Sequence, residues 1–209
     1  RIIRHLNQRS EMLSGISHDL RTPLTRMKLQ LAFIKDENIA KKLSDDVIEM
    51  EKMLNEYLQF ASSSFSEKTE KFNISSLIDK IIKKYENKKI NTQFSNDIYM
   101  TGRKNLITRC INNLIDNAIK YANNIDIQMI KSSENIFITI DDDGPGISEK
   151  EYENVFKPFY KINKSRGDSK SSVGLGLSIA SDIVRSHGGN IALGKSPKNG
   201  LRIKISFPF

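Results

Sequence analysis

Residues 17–30, SHDLRTPLTRMKLQ, set a histidine beside an apolar seam, and that seam decides how the first part of the chain folds. Leu6, Leu13, Leu20, Met27 and Ile34 stand seven residues apart, and Ile3, Leu24 and Leu31 fill the companion row. A repeat of this kind buries one stripe of a helix against a partner helix, so residues 1–34 read as a single coiled-coil-like helix. His18 falls just off the stripe, with Asp19 directly after it and Thr22 four positions on. Neutral imidazole is nucleophilic near neutral pH, and an adjacent carboxylate can hold the proton on one ring nitrogen while the other presents its lone pair. Pro23 has no N–H for the carbonyl of Asp19, which predicts a bend or a loosening of the helix beside His18. A lone histidine here would read as a coiled-coil surface residue; the group His18, Asp19, Thr22 and Pro23 reads as reactive.

Outward from this helix, residues 35–38 read as a short turn, and Leu43, Val47, Met50, Leu54, Tyr57 and Ala61 then alternate four and three residues apart. Two antiparallel helices bury such stripes poorly alone, whereas two hairpins packed as a four-helix bundle bury them well, so a homodimer is expected. Residues 62–71 are polar, serine-rich and aperiodic. The expected boundaries are a helical dimerisation unit that carries His18 at 1–63, a linker at 64–72 and a second domain at 73–209. The ten residues 62–71 reach at most about 33 Å, enough for the second domain to swing toward His18 and away.

Composition narrows the class. The chain has 209 residues, a length that fits one large or two small domains, and the change from seam to mixed α/β pattern favours two. A single cysteine, Cys110, excludes an internal disulfide and suits a reducing cytosol. No apolar run approaches the length of a membrane-spanning helix, and Arg1-Ile2-Ile3-Arg4 lacks a signal-peptide layout, so a soluble chain is expected. The seam is already running at Ile3 with no N-cap before it, which predicts that the helix continues upstream. The net charge of +8 reads first as solvated lysine faces, such as Lys83, Lys84, Lys88 and Lys89. No nucleic-acid motif accompanies it.

Beyond the linker the pattern predicts helices near 74–88, 104–121 and 175–186. Strands are predicted near 92–94, 98–100, 125–130, 136–141, 190–193 and 201–207. Late hairpin strands with interspersed helices give a mixed sheet covered on one face, an α+β arrangement. Asn113, Asn117, Lys120 and Tyr121 fall at i, i+4, i+7 and i+8, so two amides and a lysine share a helix face. Amide oxygens can ligate Mg²⁺, which takes few protein ligands and completes its shell with water and phosphate oxygens. At a strand end, Asp142-Asp143-Gly144-Pro145-Gly146-Ile147 puts a carboxylate before two glycines, where the backbone can turn and approach a ligand closely. Residues 189–196 satisfy the P-loop pattern GxxxxGK[ST], but the strand lies inside the pattern and a turn follows it, so a P-loop is rejected. His5 and His187 read as structural.

The segment 17–30 resembles the phospho-acceptor box of sensor histidine kinases in two-component signalling, of the EnvZ type. The segments around Asn113 and Asp142 resemble the N and G1 boxes of the Bergerat-type ATPase domain, with Phe156-Lys157-Pro158-Phe159-Tyr160 and Gly174-Leu175-Gly176-Leu177 matching the F and G2 boxes. The resemblance implies a helical-hairpin dimerisation and phospho-acceptor domain followed by an α/β-sandwich ATP-binding domain. It makes His18 the phospho-acceptor, Asp19 its acid/base partner and Thr22 the residue that orients water against a regulator's acyl phosphate. It implies ATP and Mg²⁺ as cofactors, with Asn117 on the metal, Asn113, Lys120 and Tyr121 around the nucleotide, and Asp142 on the adenine amino group. Gly144 and Gly146 begin a lid that runs to Val173, and Gly174, Leu175 and Gly176 open a helix whose N–H groups face the phosphates. Lys164 and Arg166 are candidate lid cations, and Ser172-Val173 replaces the family's usual Gly-Thr. The partners implied are a second copy of the chain and the receiver aspartate of a response regulator, with membrane contact only through upstream segments of a cytoplasmic domain. The alternatives are a gyrase- or chaperone-like ATPase, or a degenerate nucleotide-binding dimerisation module.

Overall fold

The computed structural model describes residues 20, 22–63, 67–85, 88–94, 97–162 and 174–208. His18, Asp19, Lys164 and Arg166 lie outside the described residues, as does the carbonyl on which the expected bend at Pro23 depends. Two compact units divide the chain between residues 66 and 67.

The first unit is a helical hairpin: α1 (residues 22–31) and α2 (Glu37–Ser63). The turn falls at 32–36, two to three residues before its expected place, because Asp36 caps α2, its Oδ1 accepting from the N–H groups of Asn38 at 2.9 Å and Ile39 at 3.1 Å. Ile34, expected as the last seam position, lies in the connection rather than the helix. Leu24 and Val47 are buried, whereas Leu20, Met27, Leu43 and Met50 remain between 41% and 50% exposed. The seam is therefore present but half covered in one chain.

The second unit starts earlier than the expected boundary. Strand β1 (Glu70–Asn73) pairs antiparallel with β3 (Tyr99–Gly102), so the stretch read as the end of the linker is strand with Phe72 buried. Its alternation is too short to be legible. Helix α3 (Ile74–Ile82) opens on Asn73, whose side chain accepts from the Ser76 N–H at 2.9 Å, and buries Ile74, Leu77, Ile78 and Ile81. The helix ends before the expected position 88, passing into a 3₁₀ turn at Lys83–Tyr85. There the Tyr85 hydroxyl donates to Asp116 at 2.5 Å, and burial followed by the Asp116 contact pushes its pKa up to about 12.

A five-stranded mixed sheet has the order β2-β4-β5-β7-β6, with β2 (Lys89–Gln93) parallel to β4 (Asn124–Lys131) and the remaining pairs antiparallel. Strands β5 (Asn135–Asp142), β6 (Asn190–Lys195) and β7 (Leu201–Pro208) complete it. Strand β2 begins three residues before its expected start and is mostly exposed, so an edge strand without apolar alternation gave no clear signal. Period-two alternation buries Ile125, Ile127, Met129, Ile136, Ile138, Ile140, Ile203, Ile205 and Phe207 on the face covered by α4 (Lys104–Tyr121) and α5 (Gly176–Ser186). Each such side chain contributes roughly 1.5–3 kcal/mol on burial, which fixes the helices to the sheet. The opposite face is polar, with Arg202 donating twice to Asp141 at 2.8 and 2.7 Å. Residues 190–195 form β6 and a turn follows, so the pattern at 189–196 has no P-loop context.

His187 closes α5 as a structural residue. Its Nε2 accepts from the Arg103 N–H at 3.1 Å, which leaves the proton on Nδ1 to donate to the Ile183 carbonyl at 2.7 Å. Burial, the largest cause, lowers its pKa from 6.5. A base with a depressed folded pKa contributes stability that is complete above 6.5 and is lost as pH falls through the folded value. Thermal unfolding should accordingly show a larger drop in melting temperature between about pH 7.5 and about pH 5.5 for the wild type than for His187→Gln, which cannot titrate there. Equal drops would remove His187 as the cause.

Candidate functional site

The site is built on the ends of three elements. In α4, Leu106, Ile107, Cys110, Ile111, Leu114, Ile115 and Ala118 are buried and fix the rotation of the helix. Asn113 and Asn117 thereby fall on its half-buried flank, and Lys120 and Tyr121 emerge at its exposed end with the Lys120 ammonium 5.2 Å from the Tyr121 ring centroid. Cys110 packs toward α5, its thiol 3.7 Å from the Ala180 carbonyl and pushed up to about 12 by burial, so it is inert as a nucleophile.

Asp142 ends β5 and is buried. Its Oδ1 accepts from the N–H groups of Gly144 and Leu201, both at 2.9 Å, and among the described residues Oδ2 has no hydrogen-bond partner. The neighbouring carboxylate does different work. Asp143 accepts from the Asn123 and Asn124 N–H groups at 2.8 and 2.9 Å and from the Asn124 amide, and these bonds hold its carboxyl near 2. The turn is thus locked by one aspartate while the other keeps an oxygen available. Gly144 lies so close to the end of α4 that a Cβ there would stand 2.9 Å from the Tyr121 carbonyl oxygen. Gly146 has φ +69°, a left-handed conformation that glycine adopts without strain.

Gly200 is a site residue that the sequence did not reveal. A Cβ on it would lie 2.3 Å from both the backbone oxygen and Oδ1 of Asp142, and 2.6 Å from the Gly144 nitrogen. The signal at 196–200 was that of an ordinary turn, and nothing in its spacing pointed to Asp142.

The third element is the start of α5. Gly174 has φ +77° and its carbonyl accepts from the Phe159 N–H at 3.0 Å, tying the Phe156–Tyr160 segment to the helix entrance. Leu175 is buried, and its carbonyl accepts from the Ser178 hydroxyl at 2.9 Å. Gly176 is the first residue of the helix, and a Cβ there would stand 3.9 Å from the Asn113 Cβ. The Asn113 Nδ2 is buried without a partner among the described residues. An unpaired buried donor is costly, and this one sits beside a helix N-terminus whose free N–H groups and dipole favour an anion. The pair fits a phosphate.

The structure therefore brings Asn113 to Gly176 at the start of α5, and brings Gly144 to Tyr121 and to Asp142. Thr22 stands exposed on α1 in the first unit. No cluster of three or more His, Cys, Asp or Glu able to hold a metal occurs among the described residues. A cation bound by the Asn117 amide oxygen would take its other ligands from phosphate and water, as Mg²⁺ commonly does.

Comparison with known proteins agrees with both units. The family model for histidine kinase-, DNA gyrase B- and HSP90-like ATPases matches residues 102–209, and that for the His kinase A phospho-acceptor domain matches residues 8–64. The chain is similar to the sensor histidine kinase GtrS of Pseudomonas aeruginosa, with 33% identity over 210 residues covering 100% of the chain and 44% of GtrS. It is similar in structure to the histidine kinase AdeS of Acinetobacter baumannii, with TM-score 0.62, 26% identity and coverage of 91% of the chain and 97% of AdeS. Full-length ShkA, solved in complex with AMPPNP, shares the fold at TM-score 0.74 and 17% identity over 96% of the chain and 46% of ShkA. The chain spans about half the length of the curated relatives it matches, 44% and 48% for two of them. Among the described residues no helix is long and apolar enough to cross a membrane.

Proposed function

The chain belongs to the sensor histidine kinases, and on that footing we propose that it phosphorylates its own His18 from ATP, passes the phosphoryl group to an aspartate of a response regulator, and hydrolyses it there. The observation that carries this reading is the Asn113 Nδ2 beside the N-terminus of α5, a buried donor without a partner among the described residues, which an anionic oxygen would satisfy. ShkA, whose complex holds an ATP analogue, supports the same ligand for a shared fold.

In this reading the free Asp142 oxygen accepts from the adenine amino group, and Gly144 and Gly146 let the backbone pass close to the base. Asn113, Lys120 and the N–H groups from Gly174 through Gly176 receive the phosphates, with Tyr121 at the edge of the nucleotide. Asn117 would hold Mg²⁺, which would offset the charge gathered on the phosphate oxygens. One ring nitrogen of His18 attacks the γ-phosphorus, an N–P bond forms as the bond to the β-phosphate oxygen breaks, and ADP leaves. Asp19 takes the proton from the other ring nitrogen. The half-covered seam of the hairpin supports a homodimeric bundle, in which residues 1–63 act as acceptor and the second unit, from Glu67 onward, delivers ATP. The full-length protein is then membrane-anchored through segments upstream, with this core in the cytoplasm. A gyrase- or chaperone-like role would account for residues 102–209 but leaves the phospho-acceptor match at 8–64 without a purpose.

A mixture of the chain, Mg·ATP and a panel of purified receiver domains tests the later steps. Label should pass from the kinase to the receiver and then be released as phosphate. Thr22→Ala should keep the first two steps and slow the release at least about tenfold, because a hydroxyl on the acceptor helix no longer orients water. Thr22→Val preserves β-branching ahead of Pro23, so release at the wild-type rate in that variant would show that Thr22 acts by shape alone.

A further inference from the structure

Helix α4 carries both asparagines of the candidate site, and it lacks a cap of its own. Arg103 occupies the N-cap position with extended backbone angles, φ −84° and ψ 98°, and its side chain makes no capping bond. The N–H groups that a capping side chain would satisfy belong to the second and third helical residues, Asn105 and Leu106. Both are taken by a residue from far away in sequence: Glu67 Oε1 accepts from Asn105 at 2.6 Å and Oε2 from Leu106 at 3.2 Å. The carboxylate also lies at the positive end of the helix dipole.

The β1–β3 ribbon explains why Glu67 arrives there. Glu70 pairs with Gly102 in antiparallel register, and carrying that register three residues further sets Glu67 opposite Asn105. Arg103 fastens the same corner to α5, its guanidinium donating to the Ser186 carbonyl at 3.0 Å and hydroxyl at 2.7 Å, while its N–H donates to His187. The point where the connecting chain enters the second unit is thus bound to the helices whose other ends form the candidate nucleotide site.

We infer that Glu67 is a positioning residue that tethers the interdomain linker to the N-terminus of α4 and so sets the free length of that linker. With the tether closed, three residues, 64–66, separate Ser63 from the anchored Glu67, a length that can span at most about 14 Å. With it open, the next anchored residue is Glu70, six residues lie between, and the span is at most about 24 Å. A longer free linker dilutes the γ-phosphate around His18, by roughly twofold or more from length alone. This inference rests on the kinase reading for its effect on rate, but the tether itself can be read independently.

The test uses the full 209-residue chain with Glu67→Ala, Arg103→Ser and the double variant. Serine at 103 supplies a local cap to the same N–H groups without restoring any hold on the linker. In Glu67→Ala, trypsin cleavage after Lys68 should accelerate at least about tenfold as the segment is released. Autophosphorylation at saturating ATP should fall about two- to fivefold while KM for ATP changes less than about twofold. The double variant should melt no lower than Arg103→Ser, which itself loses the bonds to Ser186, yet keep the fast cleavage and the reduced rate, while Arg103→Ser alone should resemble the wild type in cleavage and rate. Wild-type cleavage after Lys68 in Glu67→Ala, or recovery of every property in the double variant, would overturn the tether and leave Glu67 as a cap only. If the wild type takes no label from ATP, the kinase reading fails, and the cleavage rates still decide the tether.

Discussion

Asp142→Asn is expected to weaken ATP binding by about 1–3 kcal/mol, on the order of 5- to 150-fold, without unfolding the second unit. Asparagine can keep its carbonyl oxygen where Oδ1 accepts from Gly144 and Leu201, so the turn survives. Its NH₂ then replaces Oδ2 and points a donor at the donor of adenine. Two facing N–H groups leave both unpaired in a buried place, and the cost is that of desolvation without a bond. Guanine nucleotides, which present an acceptor at the corresponding position, should lose less. Titration of wild type and variant with ATP and GTP by calorimetry checks both statements, and equal ATP affinities would remove Asp142 from adenine recognition. Gly200→Ala should injure the same property by another route, because the added methyl would overlap Asp142 and displace its carboxyl.

The contrast between these two positions shows what the sequence can disclose. Asp142 is legible because its chemistry and the glycines after it are local, and Asn113 and Asn117 are legible because helical spacing alone puts them on one face. Gly200 is 58 residues from Asp142 and meets it only because β5 and β7 pair in a particular register. Glu67 stayed hidden for a related reason. The segment around it is polar and aperiodic, and its partners are N–H groups made available by the start of a helix 37 residues later. The strands with strict apolar alternation, β4, β5 and β7, were visible in sequence, whereas β1 and the edge strand β2 are short or mostly exposed and carry little pattern. The two aspartates at 142 and 143 could be told apart by the motif, and their hydrogen bonds supply the physical difference: one is consumed by the turn and the other keeps an acceptor.

The largest effect is expected at His18. The two units make sense together only if the first presents a nucleophile and the second presents a γ-phosphate, and among the residues of the acceptor box the imidazole alone is nucleophilic at neutral pH. Glutamine occupies a similar volume and can accept a hydrogen bond, but its amide nitrogen has no available lone pair for attack on phosphorus. His18→Gln should therefore bind ATP as the wild type does, since Asp142, Asn113 and the α5 N-terminus belong to the other unit, and should form no phosphoprotein. A substitution that abolishes label and nucleotide binding together would point to a damaged fold instead.

The most direct measurement is incubation of the chain with Mg·[γ-³²P]ATP, followed by treatment of the labelled protein with acid and with alkali. A phosphoramidate on His18 predicts label that survives alkali, is lost in acid and is absent from His18→Gln. Label that resists acid, or that remains in His18→Gln, would contradict the assignment of His18 as the acceptor.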